Sequence, residues 1–294
     1  MEKRVMKPFL CIDLTADKHN EQENGAQWLV AKPSPVLTQA LERSTENAEQ
    51  TIEKSKLPLP VRIVKWLFGG VGLVTIGVVM EWWSEEADIT IRDIYQQAPW
   101  LFWIAGACLA MWGLLTLLSV VKAKNVLETN ESDRVFDHYT QTCEAVFADL
   151  AVPTDAKEID VLTFFYKVKG DEIKVCEKGL QPAPYVNPVF RVFADAEYLY
   201  LANLEGKYAI PLSAVRAIRS IKRTIRITEW NKDEPFNKGI YKQYKLSEDE
   251  NDCLICKGYH IVEFESDNEW WGLYIPCYEL PVIEELTGVT ADSF

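Results

Sequence analysis

The sequence predicts an α+β membrane protein: a two-helix transmembrane hairpin followed by a cytoplasmic, antiparallel β-rich C-terminal domain, a small barrel or sandwich. Three observations carry that prediction. Two apolar blocks between residues 61 and 121 have the length of bilayer spans. Basic residues flank the outer end of each block. Over residues 158–280, helical periodicity gives way to short β-rich runs separated by turn residues. Composition adds bounds. The chain has 294 residues, 48% hydrophobic and 26% charged, which excludes a disordered, collagen-like or low-complexity protein. Its net charge of −13, from 31 Lys and Arg against 44 Asp and Glu, argues against nucleic-acid binding, which needs clustered positive charge.

Residues 1–60 form a cytoplasmic N-terminal segment. Two short apolar runs, Phe9 to Leu14 and Gln27 to Ala31, are expected to pair as a hairpin across the polar stretch between them. An amphipathic helix follows over 35–56, with Leu37, Leu41, Ala48 and Ile52 on one face, and Pro58 and Pro60 end it.

The hairpin occupies 61–121, with spans over about 61–82 and 100–121. No charge falls between Trp66 and Met80; Arg62 and Lys65 sit where cationic side chains snorkel, and Trp82 and Trp83 where Trp favours the interface. The second span is 22 residues without a charge, a rise of about 33 Å against a hydrocarbon core of about 30 Å. A pair of buried soluble helices is a poor alternative at that length, and a signal peptide is a poor one behind some 60 mostly polar residues. Lys54, Lys56, Arg62 and Lys65 precede the hairpin, Lys122 and Lys124 follow it, and the connection carries five acids against Arg92 alone. The positive-inside rule therefore expects a multi-pass cell-membrane protein with both termini cytoplasmic. Gly69, Gly70, Gly72 and Gly77 in one span, and Gly106, Ala110 and Gly113 in the other, offer a close helix seam, with Gly106 and Ala110 at small-xxx-small spacing. Neither span carries a mid-membrane ionisable residue, which argues against a pump or channel.

Residues 122–152 are expected to continue as a juxtamembrane helix, with Val135, Tyr139, Cys143, Val146 and Leu150 as its apolar stripe. It either pairs with the 35–56 helix in a cytoplasmic stalk or packs elsewhere. Residues 153–294 hold the β-rich domain, whose candidate strands include 161–168, 189–194, 198–201, 208–212, 218–230, 259–265 and 270–275. Asn203 to Gly206 and Ser266 to Asn268 are candidate hairpin turns, and Pro281 to Thr287 a closing helix. The acidity belongs here: residues 123–294 hold 19 basic and 30 acidic side chains.

Tyr198-Leu-Tyr-Leu, followed by Tyr208-Ala-Ile-Pro-Leu-Ser-Ala-Val-Arg-Ala-Ile218, resembles the strand pair and Ile-Pro-Leu-Ser element of membrane-anchored bacterial proteins with a pleckstrin-homology-like (PH-like) domain, of the YcxB-like kind. The match covers about 30 residues, and the insert around 230–245 and the long N-terminal segment depart from the pattern. The resemblance implies a fold and a cellular address, and no activity.

Catalytic signatures are missing: there is no Gly-x-Ser-x-Gly elbow, Walker loop or His-Glu-x-x-His. The chain is therefore read as non-enzymatic and without a cofactor. Cys253-Leu-Ile-Cys256 is the sharpest local motif, a weak candidate for a zinc or redox pair with Cys277 and His260 as further ligands. Strand alternation would put its two cysteines on opposite faces. Arg219, Lys222, Arg223 and Arg226, with Arg216, form one basic cluster in an acidic domain, a candidate face for anionic lipid or an acidic partner, or an ordinary solvated face. Trp230, Trp270 and Trp271 either line a groove or fill the core. The expected function is an inner-membrane-anchored interaction or sensory module with a protein partner. Alternatives are a structural subunit of a larger membrane assembly acting through Gly106 and Ala110, and a cysteine-based zinc or redox protein.

Overall fold

The computed structural model describes residues 6–13, 25–85, 90–169, 172–175, 189–227, 246–248 and 254–292. The chain divides into two compact units, residues 36–143 and residues 1–35 together with 144–294.

The first unit is helical. Helix α1 spans Pro35–Ser55, α2 Leu59–Glu85, α3 Ile91–Gln97 and α4 Pro99–Leu127, and α5 (Asn130–Asp149) begins here. Prolines stand where a missing N–H costs nothing: Pro60 in the first turn of α2 and Pro99 at the start of α4. Both α2 and α4 are long and apolar enough to cross a membrane, with mean hydropathy 2.0 and 2.1, and they bury only 11% and 0% of those stretches. They pack on each other along a stripe of α2 formed by Gly69, Gly72 and Thr75, all buried. Trp112 Cδ1 lies 2.9 Å from where a Cβ on Gly69 would sit, and Leu109 Cδ2 3.0 Å from where one on Gly72 would sit. The absence of a Cβ at these two positions is what lets the helices approach. The Thr75 hydroxyl donates to Val71 O at 2.8 Å, so its polar atom is satisfied within the helix.

Two features differ from expectation. The connection between the apolar helices contains α3, which a capping box starts: the Thr90 hydroxyl accepts from Asp93 N–H while the Asp93 carboxylate accepts from Thr90 N–H. Ile94 of α3 is buried and Tyr95 meets Phe102 edge-on at 5.3 Å. The expected continuous juxtamembrane helix is broken. α4 stops at Leu127, Glu128 leaves helical geometry, and Thr129 Oγ1 accepts from Ser132 N–H at 3.2 Å to start α5.

The second unit is β-rich. Its strands are β1 (Met6–Pro8), β2 (Ile12–Asp13), β3 (Leu29–Ala31), β4 (Lys157–Asp160), β5 (Phe165–Lys169), β6 (Glu172–Val175), β7 (Val189–Ala194), β8 (Tyr198–Asn203), β9 (Gly206–Pro211), β10 (Val215–Ile221), β11 (Ile225–Ile227), β12 (Ser247–Glu248), β13 (Leu254–Cys256), β14 (Tyr259–Ser266) and β15 (Glu269–Pro276). A five-stranded sheet runs β3-β9-β8-β7-β4 and a four-stranded sheet β1-β15-β14-β10. Helix α6 (Leu280–Thr287) closes the chain, ending at Gly288 in the left-handed region, φ 69°. Two smaller sheets run β2-β5-β6 and β11-β13-β12.

The main core lies between the two larger sheets: Phe190, Val192, Leu199, Leu201 and Ile210 from one, Val262, Phe264, Leu273 and Ile275 from the other, and Ile283 from α6. A second core, with Leu162, Phe164, Tyr166, Ile225, Cys256 and Ile261, lies on the opposite face of β14. That explains β14, whose first six residues are all buried: it is covered on both faces and so reads as a continuous run rather than an alternation. The 161–168 run is likewise no single strand. Val161 to Phe164 is buried irregular chain between β4 and β5, held by Leu162 N–H donating to Tyr274 O at 2.8 Å.

The expected N-terminal hairpin does not form. β1 pairs in parallel with β15, β2 in parallel with β5, and β3 antiparallel with β9. These short apolar runs complete sheets made by the C-terminal half, because burying them there removes more apolar surface than a two-stranded ribbon would. Trp28 and Trp271 sit edge-on, 6.4 Å apart, in the main core, so Trp271 packs rather than lines a groove; Trp230 lies outside the described residues.

Candidate functional site

The basic cluster sits where β10 leaves its sheet. The run expected as one strand from 218 to 230 is two strands in different sheets, joined by the irregular residues 222–224, where Arg223 N–H donates back to Ile221 O at 3.0 Å. Side-chain alternation therefore does not carry across the cluster. Each cation meets a different fate. Arg219 Nη2 lies 2.6 Å from Oε1 of the buried Glu263. Arg216 Nε is 3.5 Å from Glu265 Oε2. Lys222 and Arg223 are exposed and, among the described residues, form no ion pair. Arg226 lies in β11, and its side chain is outside the described residues. Among the described side chains, the site is an exposed corner carrying Lys222 and Arg223, with Thr224 exposed beside them.

Below that corner the strand is anchored. Ser220 Oγ donates to Asp292 O at 2.6 Å and lies 3.1 Å from His260 Nδ1. Burial holds the His260 pKa below its ordinary value, so the ring is neutral at neutral pH. It is a core histidine. Among the described residues, no three His, Cys, Asp or Glu side chains converge to hold a metal ion.

The cysteine motif resolves differently from its spacing. Cys253 lies outside the described residues. Cys256, at the end of β13, is fully buried and shares the second core with Cys277, itself 5% exposed. The β14–β15 hairpin brings them there: its register pairs Tyr259 with Pro276, bringing together the residues just outside each end.

Carboxyls surround the pair. Tyr278 Oη donates to Asp160 Oδ2 at 2.5 Å, and Asp160 N–H donates to Glu279 Oε1 at 3.0 Å. Burial raises the Asp160 pKa and pushes Glu279 up to about 8, so Glu279 is largely protonated at neutral pH. Sequence reading missed Asp160, Tyr278 and Glu279, since no motif links positions more than a hundred residues apart. Cys277 had entered only as a possible further ligand.

The hairpin residues complete the placement. Gly106 and Ala110 are exposed, and a Cβ on Gly106 would meet nothing within 4 Å. They face away from α2 because α4 turns Leu109 and Trp112 toward Gly72 and Gly69. At the other end of that seam, Lys122 Nζ donates to Lys56 O at 2.5 Å, while Lys56 and Arg62 both reach Glu53. The cations flanking the two apolar helices are therefore gathered at one end.

Comparison with known proteins finds no matching family, no matching curated relative and no matching solved structure.

Proposed function

We propose that this protein is a non-catalytic, two-pass membrane protein that presents its β-rich unit to a partner at the cytoplasmic face. The observation that carries the reading is the apolar surface of α2 and α4. Trp66, Leu67, Leu73, Val74, Trp100, Trp103, Leu117 and Val120 are all more than half exposed on two helices that bury almost nothing against the rest of the chain. Water would not tolerate that area, and a bilayer covers it. The cations gathered at one end and the acidic connection at the other support cytoplasmic termini. An antiparallel run of four strands (β4-β7-β8-β9), one of three (β10-β14-β15) and a closing helix support the PH-like reading of the second unit. The exposed Lys222–Arg223 corner supports contact with an acidic partner or anionic headgroups.

The test is affinity capture of the detergent-solubilised full chain and of a chain lacking residues 155–294. A protein partner recovered only with the full chain is the expected result; identical partner sets from both would defeat the reading. A second reading, a structural subunit of a larger assembly, draws on the outward Gly106 and Ala110, which would admit a third helix. Leu at both positions would then lower the oligomer's mass on a native gel.

A further inference from the structure

The helical unit contains a polar groove that neither the apolar helix pair nor the Lys222–Arg223 corner uses. It holds about 500 Å³ between the last turns of α1 and the junction of α4 with α5. Asn47, Gln50 and Lys54 line the α1 wall, and Asn125, Val126 and Glu131 the opposite one. Among the described residues, neither Lys54 nor Glu131 forms an ion pair, so a cation and an anion are offered to the groove from its two walls. We propose that this groove binds the phosphoethanolamine headgroup of a phospholipid in the cytoplasmic leaflet, a proposal that rests on the two-pass membrane reading.

Depth, charge and an apolar approach support it. Asn125 follows Val121, the last residue of the uncharged span, by four residues of continuous helix, a rise of about 6 Å. The headgroup layer on each side of the hydrocarbon core is of about that thickness. Lys122 Nζ donates to Lys56 O, which keeps the end of α1 level with the end of that span. The headgroup's phosphate suits the Lys54 ammonium and the amide N–H donors of Asn47, Gln50 and Asn125. Its primary ammonium carries N–H donors that suit the Glu131 carboxylate. A choline headgroup has no N–H to give Glu131, and a glycerol headgroup has no cation. Finally, Leu114, Leu118 and Val121 are 51%, 48% and 46% exposed and lead to Asn125 at spacings of 4, 3 and 4, one stripe of α4. An acyl chain on that stripe delivers its headgroup to the groove, which favours a membrane lipid over a soluble ester.

The experiment takes the full chain in detergent micelles holding equal amounts of dioleoyl phosphatidylethanolamine, phosphatidylcholine and phosphatidylglycerol, and identifies the retained lipid by native mass spectrometry. The expected result is one retained phosphatidylethanolamine per chain, enriched about fivefold over either competitor. Lys54 and Glu131 are exposed, so their substitution disturbs no core. Glu131→Gln should abolish the preference over phosphatidylcholine, and Lys54→Gln should lower retention of every lipid. Glu49→Gln, an exposed change on α1 outside this groove, should alter neither. Equal retention of the three lipids by the parent chain overturns the proposal, as does an enrichment that survives both groove substitutions. Displacement of the lipid by excess soluble glycerophosphoethanolamine overturns the lipid assignment in favour of a free ester. Alkaline carbonate extraction of native membranes judges the anchoring separately. A chain that stays in the pellet yet shows no preference defeats the groove alone, whereas release into the supernatant defeats the anchoring and the groove with it.

Discussion

Single residues decide two energetic questions in this chain. The first is how closely the apolar helices approach. Gly69 and Gly72 face Trp112 and Leu109 at separations that leave no room for a Cβ, whereas Gly106 faces open space. Gly72→Leu should therefore lower the thermal midpoint of the detergent-solubilised protein, reflecting overpacking of about 1–3 kcal/mol, and Gly106→Leu should leave it unchanged. Equal midpoints for the two variants would show that the seam lies elsewhere. The second question is the charge state of the buried carboxyls. Glu279 titrates near 8 in the folded chain, against 4.5 when unfolded. Between those values the folded state holds the extra proton, so stability is full below pH 4.5 and falls as pH rises towards 8. The slope contributed is at most about 1.4 kcal/mol per pH unit. Glu279→Gln keeps an oxygen for Asp160 N–H and removes the proton. Its denaturation midpoint should vary less between pH 5 and 8 than that of the parent, and a parallel pair of curves would refute the assignment.

At the scale of elements, the junction between β10 and β11 matters most. Because the chain leaves one sheet at Ile221 and enters another at Ile225, Lys222 and Arg223 project from a corner while Arg219 and Arg216 turn to Glu263 and Glu265. Two cations near an anionic leaflet supply about 2 kcal/mol, too little to hold a free domain and enough to orient a tethered one. With the full chain in nanodiscs, amide exchange over 219–225 should be slower on anionic than on zwitterionic lipid. Lys222→Glu with Arg223→Glu should abolish the difference, as should high salt. Equal exchange on both lipids would mark the corner as a solvated turn.

For the whole molecule, the prediction concerns orientation. From the acidic connection and the cations gathered beside Lys56 and Lys122, the positive-inside rule predicts cytoplasmic termini and an external connection. Ser84 and Ser213 are both exposed. In intact cells, Ser84→Cys should react with an impermeant maleimide and Ser213→Cys only after lysis; labelling at 213 before lysis would invert the topology.

What the sequence determined by itself is what local pattern encodes. The two apolar helices follow from uninterrupted hydropathy over some 20 residues, and α1 from its 3.6-residue stripe. The turns at 203–206 and 266–269 follow from residues that accept tight geometry: Asn203 Oδ1 accepts from Gly206 N–H at 3.1 Å, and Asp267 and Asn268 both adopt positive φ. Tertiary structure alone decided the pairings between distant segments. Which sheet β1, β2 and β3 complete, which face of α4 meets Gly69 and which arginine finds a buried glutamate each depend on the register and burial of residues far away in the chain. A window that reads periodicity holds no information about such partners, because many registers satisfy the same local pattern and only simultaneous packing of both cores selects one.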